Sequence, residues 1–521
     1  MMKIRILIAS IIMAFMVSEF FIFGGSGVGT TILFLSVLPV YYLTCGFPKG
    51  KFIHKLEHFS LLAFIILLSV PFFIFDNWTV KLVLQVVLII LVPIFFLHGA
   101  LWDKISWKNS LFYGEVFIGW FARPFACIGS GFSKLFEKTK KAPVVSPVVP
   151  VSTVPVVPVM SAAPTAISAP SPKKSNVFLQ VILGCIIVFP ILAVLTTLLV
   201  MADPLFAEFV GTIFERFFSI DIWRWLGHGI VAVILFPFVL SFVWSYGKPW
   251  MVFSGEAELL KKRTKKTVMP DVVAMVILSG INILYFFYAA VQLVYLLGAW
   301  SGQLPGNLTH AEYARTGFFE LAFLSSINVL MIAVCVRFTG RKGMAGIVIR
   351  ILSLMMILLS AVQLVSAFSR MFLYIQEFGL TRMRLFVTGF MFLMAIFFLF
   401  LFIRELAAKF PILQSLFLSS LLFLVVFSYA APDAIIARFN IYQYQEGMIQ
   451  ELDTRYLMYE LSADSKLVVL EKEEELLSYD SSLSDEFEQF HETLQREKNW
   501  AYREDNWKDL NVSKILLENK D

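Results

Sequence analysis

Long apolar runs separated by short polar breaks dominate this chain. A membrane span needs about 20 apolar residues to cross roughly 30 Å of hydrocarbon. Eleven segments meet that requirement: residues 4–23, 30–46, 58–75, 82–101, 176–201, 226–246, 271–299, 317–337, 345–368, 383–403 and 411–430. The second is short and is joined to the first by a glycine-rich turn, so ten or eleven spans are expected. After residue 431 the pattern turns polar but keeps helical spacing, with Leu452, Tyr456 and Tyr459 in one stretch and Phe487, Phe490 and Leu494 in another. Trp500, Trp507 and Leu510 are expected to seal a small core there. The predicted fold class is an all-α membrane protein with about 11 (10–11) transmembrane helices plus a small helical extramembrane C-terminal region.

The same pattern divides the chain. Residues 1–101 form a four-span N-terminal membrane segment. Residues 102–175 form a cytoplasmic interfacial segment followed by a linker rich in proline and valine, with no helical period. Residues 176–431 form a seven-span membrane core, and residues 432–521 an acidic helical region. Within the core, the apolar pairs between Leu205 and Phe218 recur every four residues, as in an interfacial helix ending at Trp223 and Trp225. Lys3 and Arg5 precede the first apolar run, but the bulky stretch Glu19 to Phe23 offers no small-residue cleavage site. The run is therefore expected to stay as an uncleaved first span.

Composition agrees with this outline. Of 521 residues, 58% are hydrophobic and 16% charged, which excludes a soluble globular protein. The net charge of +5 conceals an asymmetry: residues 432–521 carry 21 acids and 10 bases, the remainder 17 acids and 33 bases. Basic loops follow the second, fourth, sixth, eighth and tenth spans, which puts the N-terminus in the cytoplasm and the acidic C-terminal region outside. Because the bases are divided among short loops, they are not a nucleic-acid surface. Cys45, Cys127, Cys185 and Cys335 lie far apart in or near apolar segments and read as packing residues.

Ionisable residues beside hydrocarbon are costly, so several converging on one face suggest a site. His310, Glu312, Arg315, Glu320, Arg370, Glu377, Arg382 and Arg384 fall on the predicted outer side, with Asp203, Asp433 and Arg438 from other outer loops. Arginine forks match phosphate or carboxylate, and a histidine beside a glutamate can carry a proton. The reading favoured for the same residues is a salt-bridged clamp tying the outer helix ends together, with a ligand or catalytic role as the alternative. Asn282, Tyr285, Gln292, Tyr295, Asn328 and Gln363 lie inside spans, where amides and hydroxyls bridge helices. The run from Gly24 to Gly29 lacks the lysine and preceding strand of a phosphate loop and reads as a turn. Nothing in the pattern calls for a cofactor or a metal.

Several separated stretches carry a family resemblance. They are Ala202 to Phe206, Asn282 to Tyr285, Gln292 to Gly298, Ala311 to Leu321, Phe378 to Arg384, Pro432 to Asn440 and Leu452 to Leu457. In these the chain resembles the polytopic bacterial membrane proteins grouped as domain of unknown function 4173, with its relative 4153. Ala431 stands where the resemblance would put an asparagine. The resemblance implies class and site position, and no activity. The function expected is that of a non-enzymatic envelope protein in the bacterial cytoplasmic membrane. It would bind an envelope partner or a ligand at its outer face, with the lipid bilayer around it. The alternatives are a secondary transporter, or a transferase or ligase acting on a lipid-linked substrate at the outer surface.

Overall fold

A computed structural model describes residues 2–22, 24–46, 52–101, 116, 125, 222–246, 270–300, 318–339, 343–407, 409–501 and 507–520. The chain divides into one unit of residues 1–135 with 231–521 and another of residues 136–230. Every regular element among the described residues is a helix. Among the described residues eight helices are long and apolar enough to cross a membrane, and two shorter apolar ones accompany them. The expected fifth span, the interfacial helix before Trp223 and the proline-rich linker lie outside the described residues.

The N-terminal helices are α1 (Met2–Val17), α2 (Val28–Cys45), α3 (Phe52–Ser69), the single turn α4 (Pro71–Ile74) and α5 (Trp78–Leu101). A π-helical turn, Ser18–Ile22, extends α1. Next come α6 (Ile222–Tyr246), α7 (Asp271–Trp300), α8 (Phe318–Phe338), α9 (Gly343–Phe378), α10 (Arg382–Leu406) and α11 (Ile412–Tyr429). Among the described residues two larger cores organise them, and a smaller one of Ile6, Ala9, Val40, Leu240 and Val243 joins α1, α2 and α6. Tyr41, Leu61, Phe72, Leu84 and Phe95 knit α2–α5 together, with Leu421 of α11 joining them. Leu278, Ile332, Met356, Met391 and Phe398 knit α7–α10.

The second core contains a buried polar ladder, as expected of amides inside spans. Tyr285 Oη donates to Asn328 Oδ1 at 2.6 Å, and Asn328 Nδ2 donates to Ser360 Oγ at 3.0 Å. Asn282 Nδ2 reaches the Leu352 carbonyl at 3.0 Å. These bonds bridge α7, α8 and α9, each worth on the order of 1 kcal/mol in lipid. The side chains of Gln292 and Tyr295 lie outside the description. Arg350 donates to the carbonyls of Glu405 and Leu406, closing the end of α10.

The C-terminal region comprises α12 (Pro432–Gln445), a π-helical turn Tyr456–Glu460, α13 (Ala463–Glu471), α14 (Glu473–Tyr479), α15 (Ser484–Ala501) and α16 (Val512–Lys520). Phe487, Phe490 and Leu494 line one face of α15, as their spacing predicts, and pack with Ile436, Leu457 and Leu517. Trp507 does not join this core. Half exposed, it meets the ring of Phe20 edge-on at 5.9 Å, and Leu510 is also largely exposed. The tail meets the first helical hairpin through Trp507 and Leu510, and α16 returns Leu517 to the C-terminal core.

Ala431 joins α11 to α12 with φ at +49°, a left-handed conformation that costs a residue with a Cβ about 1–2 kcal/mol. Pro432 fixes the first position of α12 immediately afterwards. Asparagine tolerates this region far better. Ala431→Asn should therefore raise stability by about 0.5–1 kcal/mol, read as a higher unfolding temperature in detergent. An unchanged or lower temperature would show that the backbone relaxes around alanine.

Candidate functional site

The polar residues at one end of the bundle converge through backbone geometry first. At the α9–α10 corner Gly379 has φ at +71°, and a Cβ there would lie 2.8 Å from Asn440 Oδ1. That close approach lets Asn440 of α12 read the corner from both sides. Its Oδ1 accepts from Leu380 N at 2.6 Å, and its Nδ2 donates to Leu380 O at 2.8 Å. Arg382 opens α10 directly after the corner, and Asp433 opens α12.

Those two residues form the centre. Arg382 Nε donates to Asp433 Oδ1 at 3.0 Å and its Nη2 to Oδ2 at 2.6 Å, a bidentate pair. Asp433 is wholly buried. It also accepts from Asn77 Nδ2 at 2.6 Å and from Ser462 N at 3.0 Å. Tyr456 Oη accepts the Arg382 backbone N–H at 2.9 Å. Three of the stretches that carry the family resemblance, those containing Arg382, Asp433 and Tyr456, thus meet at one point.

A second layer extends outward from Asn77. Its Oδ1 accepts from Val80 N at 2.9 Å, capping α5. The neighbouring Asp76 accepts from Asn511 Nδ2 at 2.9 Å and from Ala463 N at 3.4 Å, and lies within ion-pair distance of Lys81 and Lys514. Its backbone N–H donates to Asp464 Oδ2 at 3.0 Å. Burial pushes the Asp464 carboxyl above the usual aspartate range, and hydrogen bonds from Ser513, the Asp76 N–H and Ser462 oppose that shift. Beyond this layer Lys508 pairs with Glu19, both largely buried, and Val28 N donates to Leu510 O at 3.0 Å.

The expected site residues therefore separate. Arg382 and Asp433 come together as a pair. Arg384 turns away to donate to the Phe378 and Gly379 carbonyls and lies 4.0 Å over the Tyr374 ring. Half-buried Arg370 and exposed Glu377 stay on α9, and Arg438 sits on the exposed face of α12 with Ile435 and Tyr442. His310, Glu312, Arg315 and Asp203 lie outside the described residues, as does the side chain of Glu320. Asp76, Asn77, Asp464, Asn511, Ser513 and the Glu19–Lys508 pair were not anticipated. Among the described residues, no group of three or more His, Cys, Asp or Glu side chains is arranged to hold a metal ion.

A second feature lies on the C-terminal region. An open hollow of about 770 Å³ runs between α14 and α15, lined by Glu473, Ser484, Phe487, Glu488, His491 and Glu492. His491 Nε2 lies 3.0 Å from Glu473 Oε1.

No curated protein and no solved structure matches the chain. A family model described as a domain of unknown function (DUF4153) matches residues 62–471, from α3 to the end of α13. That stretch takes in Asn77, Arg382, Asp433, Tyr456 and Asp464, the inner part of the network. With its apolar helices and a match across most of its length, this integral membrane protein belongs to the DUF4153 family.

Proposed function

We propose that the protein is non-enzymatic and holds its helical C-terminal domain at the outer face of a bacterial cytoplasmic membrane to dock a partner. The observation that carries this reading is the closed pairing of Arg382 with Asp433. A site for a lipid-linked diphosphate needs arginine forks directed at the ligand. Here the Nε–Nη2 edge of the Arg382 guanidinium is engaged with a buried carboxylate, and Asn77 and Ser462 bind the same carboxylate. The network works as a clamp. What the C-terminal region offers outward is the hollow between α14 and α15, where Glu473 pairs with His491 and Glu492 with Arg496 beside Glu488. The transporter reading has less support, because the polar side chains of the α7–α9 ladder are uncharged and bonded to one another.

The test places a photoreactive benzophenone residue at Glu488 in the full-length protein in cells. Docking predicts one discrete protein adduct on irradiation, lost when Glu492→Lys is added. No adduct, together with a co-purifying lipid diphosphate whose retention requires Arg382, would replace docking with the lipid-substrate reading.

A further inference from the structure

The end of the N-terminal bundle opposite the clamp holds a second group of ionisable residues. His58, in the second turn of α3, is completely buried, and neither ring nitrogen has a hydrogen-bond partner among the described residues. Its ring stacks on Phe95 with centroids 4.4 Å apart and on His98 with centroids 5.9 Å apart, the two imidazoles inclined by only 22°. His98, in the last turn of α5, lies with Nε2 3.6 Å from Glu57 Oε2. From α2, Tyr41 faces His58 at 5.2 Å and Tyr42 at 6.4 Å between ring centroids. Gly99 makes room for this packing, since a Cβ there would fall 1.7 Å from the Tyr41 hydroxyl oxygen.

An imidazole in an apolar core is ordinarily satisfied by at least one hydrogen bond, because a buried polar group without one costs free energy. An ionisable side chain inside a span is a functional candidate by default, and the partner to name is the nearest opposite charge. Here that partner is Glu57, reached through His98. The two stacked imidazoles are too close to carry two charges cheaply, so they titrate as a pair.

We propose that Glu57, His98 and His58 form a proton-binding site in which protonation of one imidazole disfavours protonation of the other and is balanced by Glu57. Binding a proton charges the seam between α3 and α5, with Tyr41 and Tyr42 as the facing groups on α2. The packing of these three helices then depends on pH at that end of the bundle. If the basic loops face the cytoplasm, the site samples cytoplasmic protons.

The experiment uses full-length protein in nanodiscs with ¹³C- and ¹⁵N-labelled histidine, followed by NMR between pH 4.5 and 8. His58→Phe and His98→Gln assign the two resonances. Coupled protonation predicts that both rings shift over the same pH interval. It also predicts that Glu57→Gln, which removes the balancing charge, weakens proton binding about tenfold, one pH unit in midpoint. A His58 resonance that stays constant across the range overturns the proposal. So does one that titrates identically in wild type, His98→Gln and Glu57→Gln. Should His58→Phe fail to fold, the His98→Gln and Glu57→Gln comparisons decide it alone.

Discussion

Arg382→Ala should cost about 3–5 kcal/mol of stability, because it leaves the wholly buried Asp433 carboxylate without its counter-charge. Asn77 and Ser462 would still donate to that carboxylate, but neither carries charge. The reverse change, Asp433→Asn, should cost less. The Arg382 side chain is 18% exposed and can recover water, whereas Asp433 cannot. Combining Arg382→Gln with Asp433→Asn should recover part of the loss, since two neutral hydrogen-bonding groups replace an ion pair in the same space. The measurement is the folded fraction recovered in detergent and its unfolding temperature for the four proteins. Equal temperatures for wild type and Arg382→Ala would mean that the arginine is not a clamp. It would then have to be reconsidered as a ligand-binding group.

The second large effect should come from Gly27→Ala. A Cβ at Gly27 would lie 2.4 Å from the Asp509 carbonyl carbon and 2.6 Å from the Lys508 carbonyl oxygen, so the tail backbone itself must move. Moving it withdraws Lys508 from Glu19 and takes the counter-charge from a largely buried carboxylate, a loss on the order of 3 kcal/mol. Gly25→Ala provides the contrast. Its Cβ would collide only with the Asp509 side chain, at 1.5 Å from Oδ1. Adding Asp509→Ala should therefore rescue Gly25→Ala and leave Gly27→Ala unrescued. Proteolysis of the segment after residue 507 in detergent reads the outcome directly. Equal protection in wild type and Gly27→Ala would show that the tail does not depend on this seat.

Much of the architecture could be read from local pattern. Phe487, Phe490 and Leu494 share a helix face because 3.6 residues per turn puts them there, and the apolar runs are helices wherever they are described. Arg382 and Asp433 were both legible as costly groups beside hydrocarbon. Their pairing was not, because nothing local links residues on different helices. Asp76 and Asn77 look like any polar turn between two spans, and Asn77 bonds to a residue 356 positions away. One signal was present: an asparagine directly before a long apolar run is a helix cap in waiting. Glu19 was a second signal. An acid inside a first span asks for a partner, and its partner is 489 positions further on. Of the run from Gly24 to Gly29 read as a turn, Gly24 to Gly27 form one, and Gly29 falls in the first turn of α2. The reason at Gly25 and Gly27 is the tail lying across them, which no spacing rule discloses.

The Glu19–Lys508 separation also sets an order of events during biosynthesis. Ribosomes add roughly 5–20 residues per second, so the first helical hairpin waits on the order of half a minute or more before its lysine exists. Through that interval the Glu19 carboxylate has no Lys508, Asp76 has neither Asn511 nor Lys514, and Gly25 and Gly27 carry no tail. Each span can enter the bilayer as it emerges, but the ends of the chain are stitched together only after the last spans have been placed. A chain stalled before residue 508 would be inserted, yet its Glu19 would lack the lysine that faces it in the folded protein.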